Sequence, residues 1–298
     1  MQLLLLAAVL STSTLLAVDQ GLLSLAPPDA QILAGINLEH AKAAPLGRFI
    51  QAQSQQKQEL ELSAMEKTMG FDPWRDVREV LVAAGPPDPG AFLVLLRGTF
   101  GVPRIVEAAL ANGGAAETYN GAIVVQRRTD KTALAFPGQT LAIIGPPATV
   151  RAAIDRKAGP AVISPALLEQ VNQLSATQDA WFVSAAPLAG LDMQSPFAGL
   201  TKMQRSSGGL KSGAELVISL RGWFATAQDA SALAAQLKVL LISADLYVRD
   251  SYRPASGLLR NLNVSAEGLV VNLSVSAPES QIEQLLSSSP RSFTPLLP

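Results

Sequence analysis

Short β-type runs of apolar residues, separated by turns rich in Pro and Gly, alternate along this chain with stripes at helical spacing. Gln31–Leu38 carries Ile32, Leu33, Ile36 and Leu38 with small Ala34 and Gly35, which predicts a buried strand. Pro45 then suits the first turn of a helix. That helix is apolar at Leu46, Phe49 and Ile50 and again at Leu60, Leu62, Met65 and Met69. Between them Gln51–Glu59 is polar on every face, and Gly70 is a natural stop. Glu79–Gly85 and Ala91–Phe100 predict two strands around the Pro86–Pro89 turn, followed by a short helix over Pro103–Asn112. Asn120-Gly121, between Glu117–Tyr119 and Ala122–Arg127, is a two-residue hairpin signal. Thr132–Phe136 and Thr140–Ile144 predict two more strands, and Ala148 to about Lys157 a helix.

The same order then resumes. Trp181–Ala185 predicts a strand, and Asp229–Ile242 a helix with Leu233, Leu237, Leu240 and Leu241 on one face. Leu262–Val264 and Leu269–Val275 predict a hairpin, and Pro278–Leu286 a closing helix. One phrase is written twice: Leu96, Arg97, Gly98 and Phe100 recur as Leu220, Arg221, Gly222 and Phe224. Asp29-Ala30 and Pro45 have counterparts in Asp179-Ala180 and Pro196. The ordered matches predict a duplication, with the second copy about 27 residues shorter between its first helix and the repeated phrase. The expected fold class is α+β: two tandem duplicated modules, mostly antiparallel sheets with helices packed on one face. Residues 25–160 form the first module and 165–286 the second, with an apolar leader over 1–18 and a flexible tail over 287–298.

Composition narrows the functional classes. The 298 residues include 23 basic and 24 acidic side chains in no long block, which argues against a nucleic-acid partner. The absence of cysteine excludes disulfides, thiolate nucleophiles and cysteine-bound metals. A single histidine, His40, cannot make a multi-histidine metal site. The leader has no charged residue and an apolar run from Leu3 to Leu10, the length of a signal-peptide core and too short for a confident membrane span. Ala17 supplies a small residue for cleavage before Val18. The expected location is therefore periplasmic or secreted, with membrane attachment only through an uncleaved leader.

Catalytic signatures fail on inspection. In Gly208-Gly209-Leu210-Lys211-Ser212 a leucine separates glycine from lysine, so the phosphate-loop register is lost and a hairpin turn is the better reading. Ser54 and Lys57 fit Ser-x-x-Lys but have no partner motifs. His40 reads as a solvated residue beside Glu39, and the local pairs Glu59/Glu61 and Asp72/Asp76 as surface charge and caps. The Asn263 and Asn272 sequons lie in or beside predicted strands and are discounted. No catalytic, cofactor or metal residue is assigned.

The interaction candidates are Tyr247, Arg249, Tyr252 and Arg253, which combine Tyr and Arg as binding hot spots do. Arg97 and Arg221 join them as strand-end cations able to hold an anion, or, on the structural reading, to pair with a neighbouring helix.

Leu25–Gln31, Gly70-Phe71-Asp72-Pro73 with Asp76-Val77, and the Leu-Arg-Gly-x-Phe phrase carry a resemblance to exported bacterial proteins of unknown function built from duplicated α+β modules. The resemblance spans most of residues 25–286 and implies a secreted or envelope protein, with no catalytic residue to carry over. The expected function is non-enzymatic binding of an unknown protein or small ligand at the bacterial envelope. The alternatives are a carboxylate-dependent hydrolase of an envelope polymer and a purely structural scaffold.

Overall fold

The computed structural model describes residues 18–49, 51–52, 70–85, 92–127, 131–156, 159, 163–187, 198–251 and 253–288, with side chains at 245–256, 285–286 and 288 left aside. The expected leader up to Ala17, the Gln-rich stretch beyond residue 52, the Pro86–Pro89 turn and the tail beyond Ser288 lie outside these residues.

In chain order the elements are α1 (Gln20–Leu23), β1 (Ile32–Asn37), α2 (Leu38–Ala43), α3 (Pro73–Asp76), β2 (Val77–Ala84), β3 (Phe92–Gly98), α4 (Val102–Ala111), β4 (Gly114–Tyr119), β5 (Ala122–Arg127), β6 (Ala133–Phe136) and β7 (Leu141–Gly145). After α5 (Pro147–Arg156) and α6 (Pro165–Ser175) come β8 (Ala180–Ser184), a 3-10 turn (Ala198–Lys202), β9 (Met203–Lys211), β10 (Glu215–Phe224), α7 (Ala227–Ser251), α8 (Arg253–Arg260), β11 (Leu262–Glu267), β12 (Val270–Pro278) and α9 (Glu279–Ser288).

The twelve strands of the described residues lie in one antiparallel sheet, in the order β11-β12-β10-β9-β8-β1-β2-β3-β7-β6-β5-β4. The chain is thus α+β. Its two halves meet where β1 pairs with β8, Ile36 opposite Ala180 and Ile32 opposite Ser184. Counted outward from that pair, the repeated phrase ends the third strand on each side, β3 and β10.

The expectation of helices on one face needs correction. Leu93 and Leu95 belong to a core with α1, α5 and α6, whereas Leu96, with Val94 beside it, belongs to a core with α4. Alternate residues of a strand point to opposite sides, so helices cover both faces. The reason is in the sequence of β3, Phe-Leu-Val-Leu-Leu: a strand apolar on both sides needs cover on both. The first face includes Leu33, Trp181 and Val183 under Leu22, Leu23, Val150 and Leu167. A third cluster joins Ala230, Leu233 and Ala234 of α7 to Phe224, Val264 and Val271, on the same side as α4.

Local chemistry explains most element ends. Asn120 (φ 44°) and Gly121 (φ 78°) make the anticipated two-residue turn between β4 and β5. Residues 38–43, expected as strand end and loop, are helical because the Asn37 side chain accepts the His40 N–H at 3.0 Å and caps a new helix. The Gly208-Gly209 stretch, expected as a turn, lies inside β9. Helix α7 continues past Ile242 to Ser251 and α8 runs from Arg253 to Arg260, so the described parts of the 246–260 segment are helical. One carboxylate ties distant parts together. Buried Glu279 accepts from Leu46 N, where a helical stretch begins, and from Gly213 N in the β9–β10 turn.

Candidate functional site: an apolar cavity under α7

Sheet register decides what lies beneath α7. Phe182 of β8 is opposite Gly208, Gly208 is opposite Leu220, and Leu220 is opposite Leu273. Directly paired residues project from the same side. These positions therefore form one row across four strands on the face that α7 covers. A second row, Ser206, Gly222 and Val271, runs beside it. Helix α7 contributes Leu233 and Leu237, one turn apart, and the 3-10 turn contributes Leu200.

Between the helix and the two rows is a cavity of about 270 Å³, lined by these residues with Met203 and Phe224 and bordered by Ser207 and Arg221 of the intervening strand positions. Leu233, Phe224 and Val271 are buried, but Leu220 in the middle of the row is 37% exposed. A leucine at the centre of a sheet face, under a helix, is normally covered. Here the space over it is open. No carboxylate, histidine or lysine is among the described lining residues.

Of the candidate residues from the sequence, only Arg221 borders this cavity among the described residues. Arg97 donates from Nε to the Asp19 carboxylate at 2.8 Å, and Asp19 also accepts the Gly21 and Leu22 N–H groups at the start of α1. The Asp19 N–H donates to Glu79, which sits opposite Arg97 on β2. Burial pushes the Glu79 carboxyl above the usual range, against the Asp19 N–H and Arg97, which pull it down. Arg97 thus does what the structural reading expects: it pairs with a helix start. Arg221 projects from the same face of the sheet, with four strands between β10 and β3. That separation is about 24 Å at the usual strand spacing, so the two arginines share no ligand. Among the described residues Arg221 has neither an ion-pair nor a hydrogen-bond partner.

Tyr247 and Arg249 fall in α7 and Arg253 in α8; their side chains, and all of Tyr252, lie outside the described residues. Ser54, Lys57, Glu59 and Glu61 do so as well. His40 is half-exposed, its Nδ1 at 3.6 Å from Asp179. Asp72 caps α3, accepting from Trp74 N and Arg75 N, while Asp76 pairs with Arg75, which holds its carboxyl below the usual range. Among the described residues no three metal-ligating side chains gather, and no helix is long and apolar enough to cross a membrane.

Sequence reasoning missed the cavity. Its only visible trace was the Leu233, Leu237, Leu241 stripe, which marks a buried helix face without saying whether the space under it is filled.

Neither a family model nor a curated protein matches the chain. Solved structures do. Crystal form III of TP0453 superposes with a TM-score of 0.56 at 12% identity, over 92% of this chain and 99% of that one. Crystal form IV gives 0.53 at 11% identity, over 91% and 98%. The likeness is one of fold across nearly the whole of both chains.

Proposed function

We propose that this chain is an exported, non-enzymatic binding protein that takes an apolar ligand, or the apolar part of one, between α7 and the sheet. The half-open Leu220 at the centre of the apolar rows carries this reading. An enclosed apolar cavity of about 150 Å³ already admits a benzene-sized ligand, and this one is larger and open on one side. No carboxylate, histidine or lysine is among its described lining residues, which favours binding over hydrolysis at this place.

The two halves are read as diverged copies of one unit. The repeated phrase ends the third strand out from the β1–β8 pair in each, which supports that reading. Export rests on the uncharged apolar leader. Intact mass of the protein recovered from the cell envelope or medium tests the cleavage.

The binding test is titration with an apolar fluorophore and its displacement by alkyl compounds of increasing length. Leu220→Trp fills the cavity from a position that is already half-open. It is expected to weaken binding by about tenfold or more while leaving the melting temperature unchanged or higher. Equal binding by Leu220→Trp and the parent protein would place the fluorophore elsewhere and end this reading.

A further inference from the structure

The opposite face of the same strands is of a different character. Over β8 the first face is apolar, with Trp181 and Val183 under α6. Beyond β8 the register places Ser207 opposite Val183 and Arg221, and Gly209 opposite Trp181 and Ser219. Asn272 and Ser274 of β12 continue the row. The sheet therefore turns polar where the cover of α6 ends. A cleft of about 410 Å³ lies at that step, walled by the polar edge of α6 with Gln170 and Gln173 and floored by β9 and β10.

Two guanidinium groups face this cleft. Arg205 is opposite Trp223 and lies over its indole at 4.6 Å from the ring centroid. Arg221 is two residues from Trp223 on the same strand, which makes it the diagonal neighbour of Arg205 on one face, about 7 Å away in an ordinary sheet. Like charges at such positions repel. Yet among the described residues neither arginine has an ion pair or hydrogen bond, and the wall's one carboxylate, Glu169, makes no ion pair with them.

Comparison with the other half sharpens the point. Arg97 holds the same place in the repeated phrase and is neutralised by Asp19 at 2.8 Å. Among the described residues no acid takes the place of Asp19 at Arg221. The floor adds the hydroxyls of Ser207 and Ser219, and the glutamine amides both donate and accept.

We propose that this cleft binds an acidic sugar, its carboxylate or phosphate held between Arg205 and Arg221 and its hydroxyls met by Gln170, Gln173, Ser207 and Ser219. Guanidinium groups match planar and tetrahedral oxyanions through paired N–H donors. Flanking groups that both donate and accept suit a polyol rather than a bare anion. The volume falls within the range of small-molecule sites, about 300–1,000 Å³. This cleft opens on the opposite face of the sheet from the apolar cavity, and the strand positions Ser207 and Arg221 border both.

The test is calorimetric titration of the full chain with glucuronate, a hexose phosphate, glucose and inorganic phosphate. Saturable binding of at least one acidic sugar is expected, weakened by added salt, with no binding of glucose. Arg205→Met and Arg221→Met are each expected to weaken it about tenfold or more, while Lys238→Met, on the exposed side of α7, leaves it unchanged. Arg221→Lys keeps the charge and loses the fork, so an intermediate loss is expected; it serves in place of Arg221→Met should that variant misfold. Three outcomes overturn the proposal: no binding of either acidic sugar at about 10 mM, equal binding by the arginine variants and the parent, or inorganic phosphate binding as tightly as the sugars.

Discussion

The Asp19 carboxylate accepts the Arg97 Nε–H at 2.8 Å while capping the first turn of α1 through Gly21 N and Leu22 N. One acid therefore neutralises a strand-end cation and satisfies helix donors that would otherwise go unpaired. Its loss removes both. Asp19→Ala is expected to cost about 2 kcal/mol, roughly half from the cap and half from the unpaired, largely buried guanidinium. Arg97→Met should cost about 1 kcal/mol, whereas Arg221→Met, at an exposed position with no ion-pair or hydrogen-bond partner among the described residues, stays within about 0.5 kcal/mol. Urea unfolding of the three variants checks the order. An equal cost at the two arginines would contradict the difference drawn between them.

The two glycines of the repeated phrase also differ in consequence. In each copy the aromatic two residues on leans over the glycine, Phe100 over Gly98 and Phe224 over Gly222. A methyl group at Gly98 would fall on the backbone carbonyl of Asp76, which cannot swing aside. At Gly222 it would meet the Met203 thioether, which can. Gly98→Ala is expected to cost about 3 kcal/mol and Gly222→Ala about 1 kcal/mol, read as shifts in the urea midpoint at unchanged slope.

Glu79 sets a pH dependence of definite sign. Burial raises its carboxyl above the ordinary value of 4.5 in the folded chain. A raised acid favours folding fully below its ordinary value, and the advantage is lost as pH rises through the folded value. Glu79→Gln keeps an acceptor for the Asp19 N–H and cannot ionise. Its stability relative to the parent should therefore rise between about pH 4 and pH 7. A difference in urea midpoint that stays flat across that range would show that the Glu79 carboxylate is not penalised in the fold.

Glu279 joins the second half to the first through Leu46 N at 2.7 Å. Glu279→Ala leaves that N–H and Gly213 N without their acceptor and is expected to cost about 2 kcal/mol. Glu279→Gln, which retains one acceptor oxygen, should recover part of the loss. Hydrogen exchange at the Leu46 and Gly213 amides reports the effect directly, and protection unchanged in Glu279→Ala would show that the carboxylate does not hold the two segments.

Much of the fold was legible where a local signal coincided with the tertiary need. Asn120-Gly121 turns because that pair tolerates the left-handed region, and the stripe on α7 buries the side it marks. Legibility failed where the neighbour lies far away in sequence. Strand β9 reads Ser206-Ser207-Gly208-Gly209, with no apolar alternation, because its surroundings replace side chains it does not have. A methyl group at Gly208 would lie 2.5 Å from Leu220 and 2.6 Å from Phe182, which cross the strand from either side. Six polar or small residues in a row look like a turn until those two side chains are placed over them.

The candidate sites divide in the same way. From composition and spacing alone it follows that this chain has no cysteine chemistry and only one histidine, and that it carries the Leu-Arg-Gly-x-Phe phrase twice. Those are properties of the covalent chain. That Arg97 is neutralised while Arg221 is not depends on Asp19 reaching across 78 residues, and the half-open Leu220 depends on how closely α7 packs over four strands. Charge pairing and unfilled volume belong to neighbours brought together by folding, and no local pattern of side chains encodes them.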